Sequence, residues 1–216
     1  MEMDYDIELN WRTADSSEYD VIVDDEVFET LVTHNCCKVK EWITETENKN
    51  QRRLHRLIVG LDVEWRPNTI TGEVNPVAIL QLFVGKRCLI YQFLQGVHEI
   101  PKVLKKFLKN INYTFVGVGI EQDKQKLIRD HSLEVTKTKD LREMAAYELS
   151  DRDLCYAGLK KLTKVILGKD GGYKKELNVT MSDWDRNRLS KEQVLYACLD
   201  AYVSFEIGRQ LQSWYD

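Results

Sequence analysis

The sequence predicts an α/β protein with a mixed central sheet flanked by helices, and three observations carry that prediction. Ile58 to Trp65 is a short, apolar, β-branched run of strand character, and two similar runs follow it across short glycine-containing turns. From Thr114 onward a further short strand gives way to segments of helical spacing. The chain then closes on a long helix with its own start signal at Ser190. A β-meander followed by strand and helices is the pattern of a layered α/β fold. At 216 residues, 43% of them hydrophobic and only three prolines, the chain suits one ordered domain with a sizeable core.

The first quarter is distinct in charge. Residues 1–50 hold 14 Asp and Glu against 4 Lys and Arg, whereas residues 51–216 hold 21 against 27. Within 1–50 the runs Tyr19–Val23 and Val27–Val32 read as strands about an Asp24-Asp25-Glu26 turn. Asn35 is placed to cap a helix through about Glu47, with Val39, Trp42 and Ile43 as its apolar stripe. Residues 1–50 are therefore expected to pack on the core as acidic strands and a helix, with an oligomer contact as the alternative. Residues 51–216 are expected to form the main domain.

The strand at Ile58–Trp65 is unusual. Alternation puts Leu57, Val59, Leu61, Val63 and Trp65 on one face and Ile58, Gly60, Asp62 and Glu64 on the other. One face is thus continuously apolar, and the other ends in two carboxylates. Uncompensated burial of charge is expensive, and the strand itself offers no basic residue on that face, so a bound cation is the first suspect.

After a turn over Pro67, Asn68, Thr71 and Gly72, Val77–Phe83 and Cys88–Phe93 complete the meander across Gly85-Lys86. Ile100–Leu108 has helical apolar spacing with lysines on its wet side. Thr114–Ile120 is a strand, followed by a helix carrying Asp123. Its Gly117-x-Gly119 pair lacks the third glycine of a dinucleotide-binding loop and instead marks close packing. Helices follow at Leu141–Leu149 and Leu159–Leu167, then a mobile-looking loop at Lys169–Lys175. Ser190 with Gln193 is a capping box, and the helix it starts places Tyr196 and Asp200 one turn apart on one face.

Composition excludes several classes. No apolar run approaches a membrane span, and the acidic start Met1–Asp6 has no apolar core of a secretory signal, so residence in the cytoplasm or nucleus is expected. Five cysteines without C-x-x-C spacing suit buried free thiols rather than disulfides or a zinc site. The net charge of −4 argues against sequence-independent coating of nucleic acid, though not against a local basic track.

Four carboxylates stand in apolar contexts: Asp62, Glu64, Asp123 and Asp200. An all-oxygen donor set suits Mg²⁺ or Mn²⁺. Two such ions about 4 Å apart are the usual device for in-line displacement at phosphorus. The stretches Gly60–Trp65, Val116–Asp123 and Tyr196–Tyr202, with Gly158–Leu162 and Trp184–Leu189 between them, resemble the DEDD-type 3′→5′ exonucleases of the ribonuclease-H-like (DnaQ-like) fold. Within that family the chain looks most like Werner-type exonuclease domains, RNase D and small stand-alone plant members, over roughly residues 55–212.

The resemblance implies a role for each position. Asp62 would bridge two ions, Glu64 would hold one and touch the attacking water, and Asp123 and Asp200 would complete the ligand set. Tyr196, four residues before Asp200, would orient the water and marks the tyrosine subclass, because Leu195 stands where the histidine subclass needs His. Trp65 reads either as a stacking surface for the terminal base or as a core tryptophan. Lys160, Lys161 and Lys164 read either as phosphate contacts or as a solvated helix face. Gln125 replaces an aromatic residue common in Werner-type domains, which points to single-stranded 3′ ends rather than duplex ends. The plant members imply RNA slightly ahead of DNA, a ring-like homo-oligomer and a protein partner in RNA silencing. The competing reading is an inactive exonuclease-like scaffold or nucleic-acid-binding protein, since fold does not certify activity.

Overall fold

The computed structural model describes residues 3–69, 72, 74–93, 99–169 and 177–213. Thr71 of the turn before the second meander strand, and the Lys169–Lys175 loop beyond Lys169, fall outside the described residues. The strands are β1 (Tyr5–Arg12), β2 (Ser16–Val23), β3 (Glu26–Thr33), β4 (Leu57–Trp65), β5 (Val77–Val84), β6 (Arg87–Gln92), β7 (Tyr113–Gly117) and β8 (Thr138–Asp140). The helices are α1 (Cys36–Lys49), α2 (Lys102–Leu108), α3 (Ile120–His131), α4 (Leu141–Glu148), α5 (Leu159–Leu167), α6 (Leu177–Thr180) and α7 (Lys191–Ser213).

All eight strands join one mixed sheet in the order β1-β2-β3-β6-β5-β4-β7-β8. The meander β4-β5-β6 is antiparallel, while β7 and β8 add in parallel on the far side of β4. The acidic N-terminal strands form an antiparallel meander of their own, and β3 runs parallel to β6, so they prolong the sheet. The β2–β3 hairpin turns at Asp24, whose φ of 52° is one that Asp tolerates better than most residues. The three-residue edge strand β8 has no sequence signal, because Thr-Lys-Asp carries no apolar alternation.

Helices cover both faces. Val39, Trp42 and Ile43 of α1, Leu104 and Phe107 of α2, and Leu127 of α3 pack with Leu57, Val59, Leu61 and Val63 on one face. On the other face α7 lies on the sheet beneath α4 and α5, sharing a core with Ile79 and Phe83 of β5 and with Tyr19, Val21 and Phe28 of the N-terminal strands. Asn35 caps α1 by accepting hydrogen bonds from the Cys37 and Lys38 amides. The α7 capping box is reciprocal: Ser190 N–H donates to Gln193 Oε1 at 2.9 Å and Gln193 N–H to Ser190 Oγ at 3.2 Å.

One expectation needs correction. Only Cys88 and Cys198 are buried; Cys36 and Cys37 sit in the exposed first turn of α1 and Cys155 in an exposed 3₁₀ turn at Arg152–Tyr156, although all five are free thiols. Among the described residues no helix is long and apolar enough to cross a membrane.

Candidate active site

The site is made where α7 crosses β4. A side chain at Gly60 would collide with the Ala201 carbonyl oxygen and would stand 2.8 Å from the Phe205 amide nitrogen. The missing Cβ lets the helix lie directly on the strand at this point. Asp200, next to Ala201, is thereby set against the Asp62 and Glu64 face of β4. One potential ligand oxygen from each of Asp62, Glu64 and Asp200 lies within 4.8 Å of the others. Gly117, at the end of β7, makes a second close approach, its absent Cβ falling 2.6 Å from the Leu61 carbonyl. The turn after it enters α3 at Gly119, in the left-handed region with φ 75°, and puts Asp123 in the first helical turn.

Burial and mutual repulsion dominate the electrostatics. Asp200, 4% exposed, is held well above the usual carboxylate range by burial and then by Asp62 and Glu64. Asp123, 8% exposed, is pushed up to about 8 by burial and then by Asp62, with Lys126 and Arg142 acting in the opposite direction. Tyr196 is raised by burial, then by Glu64 and Asp62, and stays a neutral phenol. Asp123 therefore faces the same charge as the tight triplet while standing outside it. Crowded oxygen donors of one sign, with no cation among the causes of the Asp200 shift, suit a hard divalent cation.

Supporting contacts hold these groups in place. Trp184 is fully buried and packs on Tyr196 with ring centres 5.9 Å apart. Gln193 Nε2 donates to Ser182 Oγ at 2.8 Å and to the Asp183 carbonyl at 3.3 Å, tying the segment before α7 to its cap. Arg66, just past β4, donates to Asp185 at 2.9 Å and lies 3.4 Å from Asp183, linking the strand end to the same segment. Gly119 N–H donates to Asp140, which in turn binds Arg142.

Three of these residues were not foreseen from sequence. Lys126 and Arg142 come to Asp123 from α3 and α4, and Arg66 in the loop after β4 pairs with Asp183 and Asp185, whereas the strand alone offers no cation. Lys126 lies one helical turn beyond Asp123, and that i,i+3 spacing was the available signal. Its ammonium stands 3.8 Å from the centre of the Trp65 ring. Trp65 is half-buried against the α1–α3 side of the core after a break in register between Glu64 and Trp65. Lys160, Lys161 and Lys164 are exposed on α5, and none is among the groups that shift Asp123, Tyr196 or Asp200.

A helix-flanked mixed sheet with oxygen donors gathered at its central strand defines the class of ribonuclease-H-like, DnaQ-like exonuclease folds. A family model described as 3′-5′ exonuclease matches residues 32–215, and the chain belongs to that family. It is 32% identical over 155 residues to the mouse bifunctional 3′-5′ exonuclease/ATP-dependent helicase WRN, covering 71% of this chain and 11% of that protein. It is 31% identical over 157 residues to an Arabidopsis thaliana 3′-5′ exonuclease, covering 71% of this chain and 52% of the relative. The crystal structure of the EXD2 exonuclease domain superposes with a TM-score of 0.50 at 25% identity, covering 86% of this chain and 90% of that one. Escherichia coli RNase D shares the fold, with a TM-score of 0.60 at 15% identity over 79% of this chain and 42% of that one.

Proposed function

We propose that the protein is a metal-dependent 3′→5′ exonuclease of the tyrosine subclass that removes nucleoside monophosphates from single-stranded 3′ ends. The observation that carries this reading is the gathering of Asp62, Glu64 and Asp200 within 4.8 Å in a member of an exonuclease family. Asp62, Glu64, Asp123 and Asp200 would hold two Mg²⁺ or Mn²⁺ ions, which supply Lewis-acid activation of water and neutralise charge at phosphorus. A cation held there would displace the protons that burial and repulsion favour on Asp123 and Asp200. The Tyr196 hydroxyl, neutral at physiological pH, positions the attacking water by hydrogen bonding and is no general base. Water attacks the terminal phosphodiester, the bond from phosphorus to the 3′ oxygen breaks, and that oxygen takes up a proton to become the new 3′ hydroxyl.

The placing of RNA ahead of DNA, a homo-oligomer and a partner in RNA silencing rest on the resemblance to small plant members. The test is a nuclease assay on 5′-labelled single-stranded RNA, single-stranded DNA and recessed duplex with Mg²⁺ or Mn²⁺, with gel filtration of the same sample. Wild type is expected to give a one-nucleotide ladder from single-stranded 3′ ends, fastest on RNA, that EDTA abolishes. Asp62→Ala is expected to lose it while remaining folded. Equal activity in wild type and Asp62→Ala would sink the mechanism.

A further inference from the structure

Strand β5 reads Val-Ala-Ile-Leu-Gln-Leu-Phe-Val and is buried at every position. Gln81 is the one polar residue in it, with no solvent exposure. Neither Gln81 Oε1 nor Nε2 has a hydrogen-bonding partner among the described residues. A buried amide left so carries an uncompensated desolvation cost, and packing alone gives no reason to keep one among seven apolar neighbours.

Its register gives a reason. Gln81 is the direct antiparallel partner of Asp62, as Phe83 is of Gly60 and Ile79 is of Glu64. Directly opposed residues share a sheet face, with Cβ atoms roughly 4.5–5.5 Å apart. Ile79 and Phe83, two positions either side of Gln81, pack into the core under α7. The amide therefore stands beside the central carboxylate, on the face that α7 and Asp200 cover.

We propose that Gln81 is a positioning residue for the cation site: its Nε2 donates to the Asp62 carboxylate once that carboxylate is engaged with a divalent cation. Partners of this kind orient a ligating oxygen, and their loss typically lowers metal affinity about 10–100-fold. The unsatisfied amide is then a cost carried by the metal-free protein and relieved on loading. This rests on the function proposed above, and it predicts opposite effects of one substitution on two measurements.

The experiment uses the full chain and Mn²⁺ as the probe. Stability in EDTA is read by thermal unfolding, and Mn²⁺ affinity by electron paramagnetic resonance of the free ion. Gln81→Met, similar in volume but apolar, is expected to unfold at a higher temperature than wild type in EDTA and to bind Mn²⁺ at least tenfold more weakly. Gln81→Asn keeps an amide but withdraws it by one methylene. It is expected to lose affinity without gaining stability, and it keeps the test open if the Met variant fails to fold. Asp62→Asn is the control for the site itself. If wild type binds Mn²⁺, Asp62→Asn does not, and both Gln81 variants bind as wild type does, the role of Gln81 is overturned and the site stands. If wild type shows no Mn²⁺ binding that depends on Asp62, the site and Gln81's role fall together. A Gln81→Met protein less stable than wild type in EDTA overturns the claim that the amide is unsatisfied.

Discussion

Asp62 enters the electrostatics of all three buried groups around it: it raises Asp123 and Asp200 and, after Glu64, Tyr196. Without metal the cluster is therefore a source of instability with a defined pH sign. Asp123 moves from an ordinary 3.8 to about 8, and Asp200 moves the same way. Between those values the native state holds more protons than the unfolded chain, so stability falls as pH rises. The contribution is fully present below 3.8 and is lost as pH passes about 8. In EDTA, the unfolding temperature of wild type is expected to drop between pH 6 and pH 8.5 more than that of Asp62→Asn. The substitution should raise it at pH 8 by roughly 2–4 °C for each kcal/mol of repulsion removed. Mg²⁺ should restore the wild type and leave Asp62→Asn unmoved. Thermal scans in matched buffers read both outcomes, and a wild type that gains stability with rising pH would contradict the charge picture.

At the scale of elements, the site depends on how closely α7 lies on β4. Gly60→Ala places a methyl group into the Ala201 carbonyl and against the Phe205 backbone, neither of which is a flexible side-chain end. Overpacking of this kind costs about 3 kcal/mol, and here it also lifts Asp200 away from Asp62. The expected result is a lower unfolding temperature together with a loss of metal-induced stabilisation. Retention of wild-type metal response in Gly60→Ala would show that the close crossing is not what assembles the cluster. The start of α7 is held independently, by the Ser190–Gln193 box and by Gln193's bonds to Ser182 and Asp183.

For the whole molecule, the acidic first quarter continues the sheet. Strand β3 pairs with β6, and Tyr19, Val21, Val23, Phe28 and Val32 belong to the same core as Ala197 and Leu199 of α7. Removal of residues 1–34 would bare the edge of β6 and uncover that end of the α7 core. The shortened chain is expected to aggregate or to lose its cooperative unfolding transition, as read by gel filtration and thermal scanning. A monomeric shortened chain with wild-type stability would show that the N-terminal strands are an independent appendage.

Local signals made much of this legible. The β4 alternation, the Asn35 cap, the Ser190–Gln193 box and the pairing of Tyr196 with Asp200 each involve residues only a few positions apart in the chain, where periodicity and capping chemistry operate. The edge strand β8, the exposure of three cysteines and the cations at Asp123 escaped such reading, because each depends on neighbours far away in sequence. Gln81 makes the division clear. In sequence it is one polar residue in an apolar strand, and only the β4–β5 register places its amide opposite Asp62. Sequence by itself determined which acids were costly to bury and which elements carry them. Tertiary structure decided which of those acids meet, because Gly60 lets a helix from the end of the chain settle on a strand from its first third, and burial there makes their shared charge consequential.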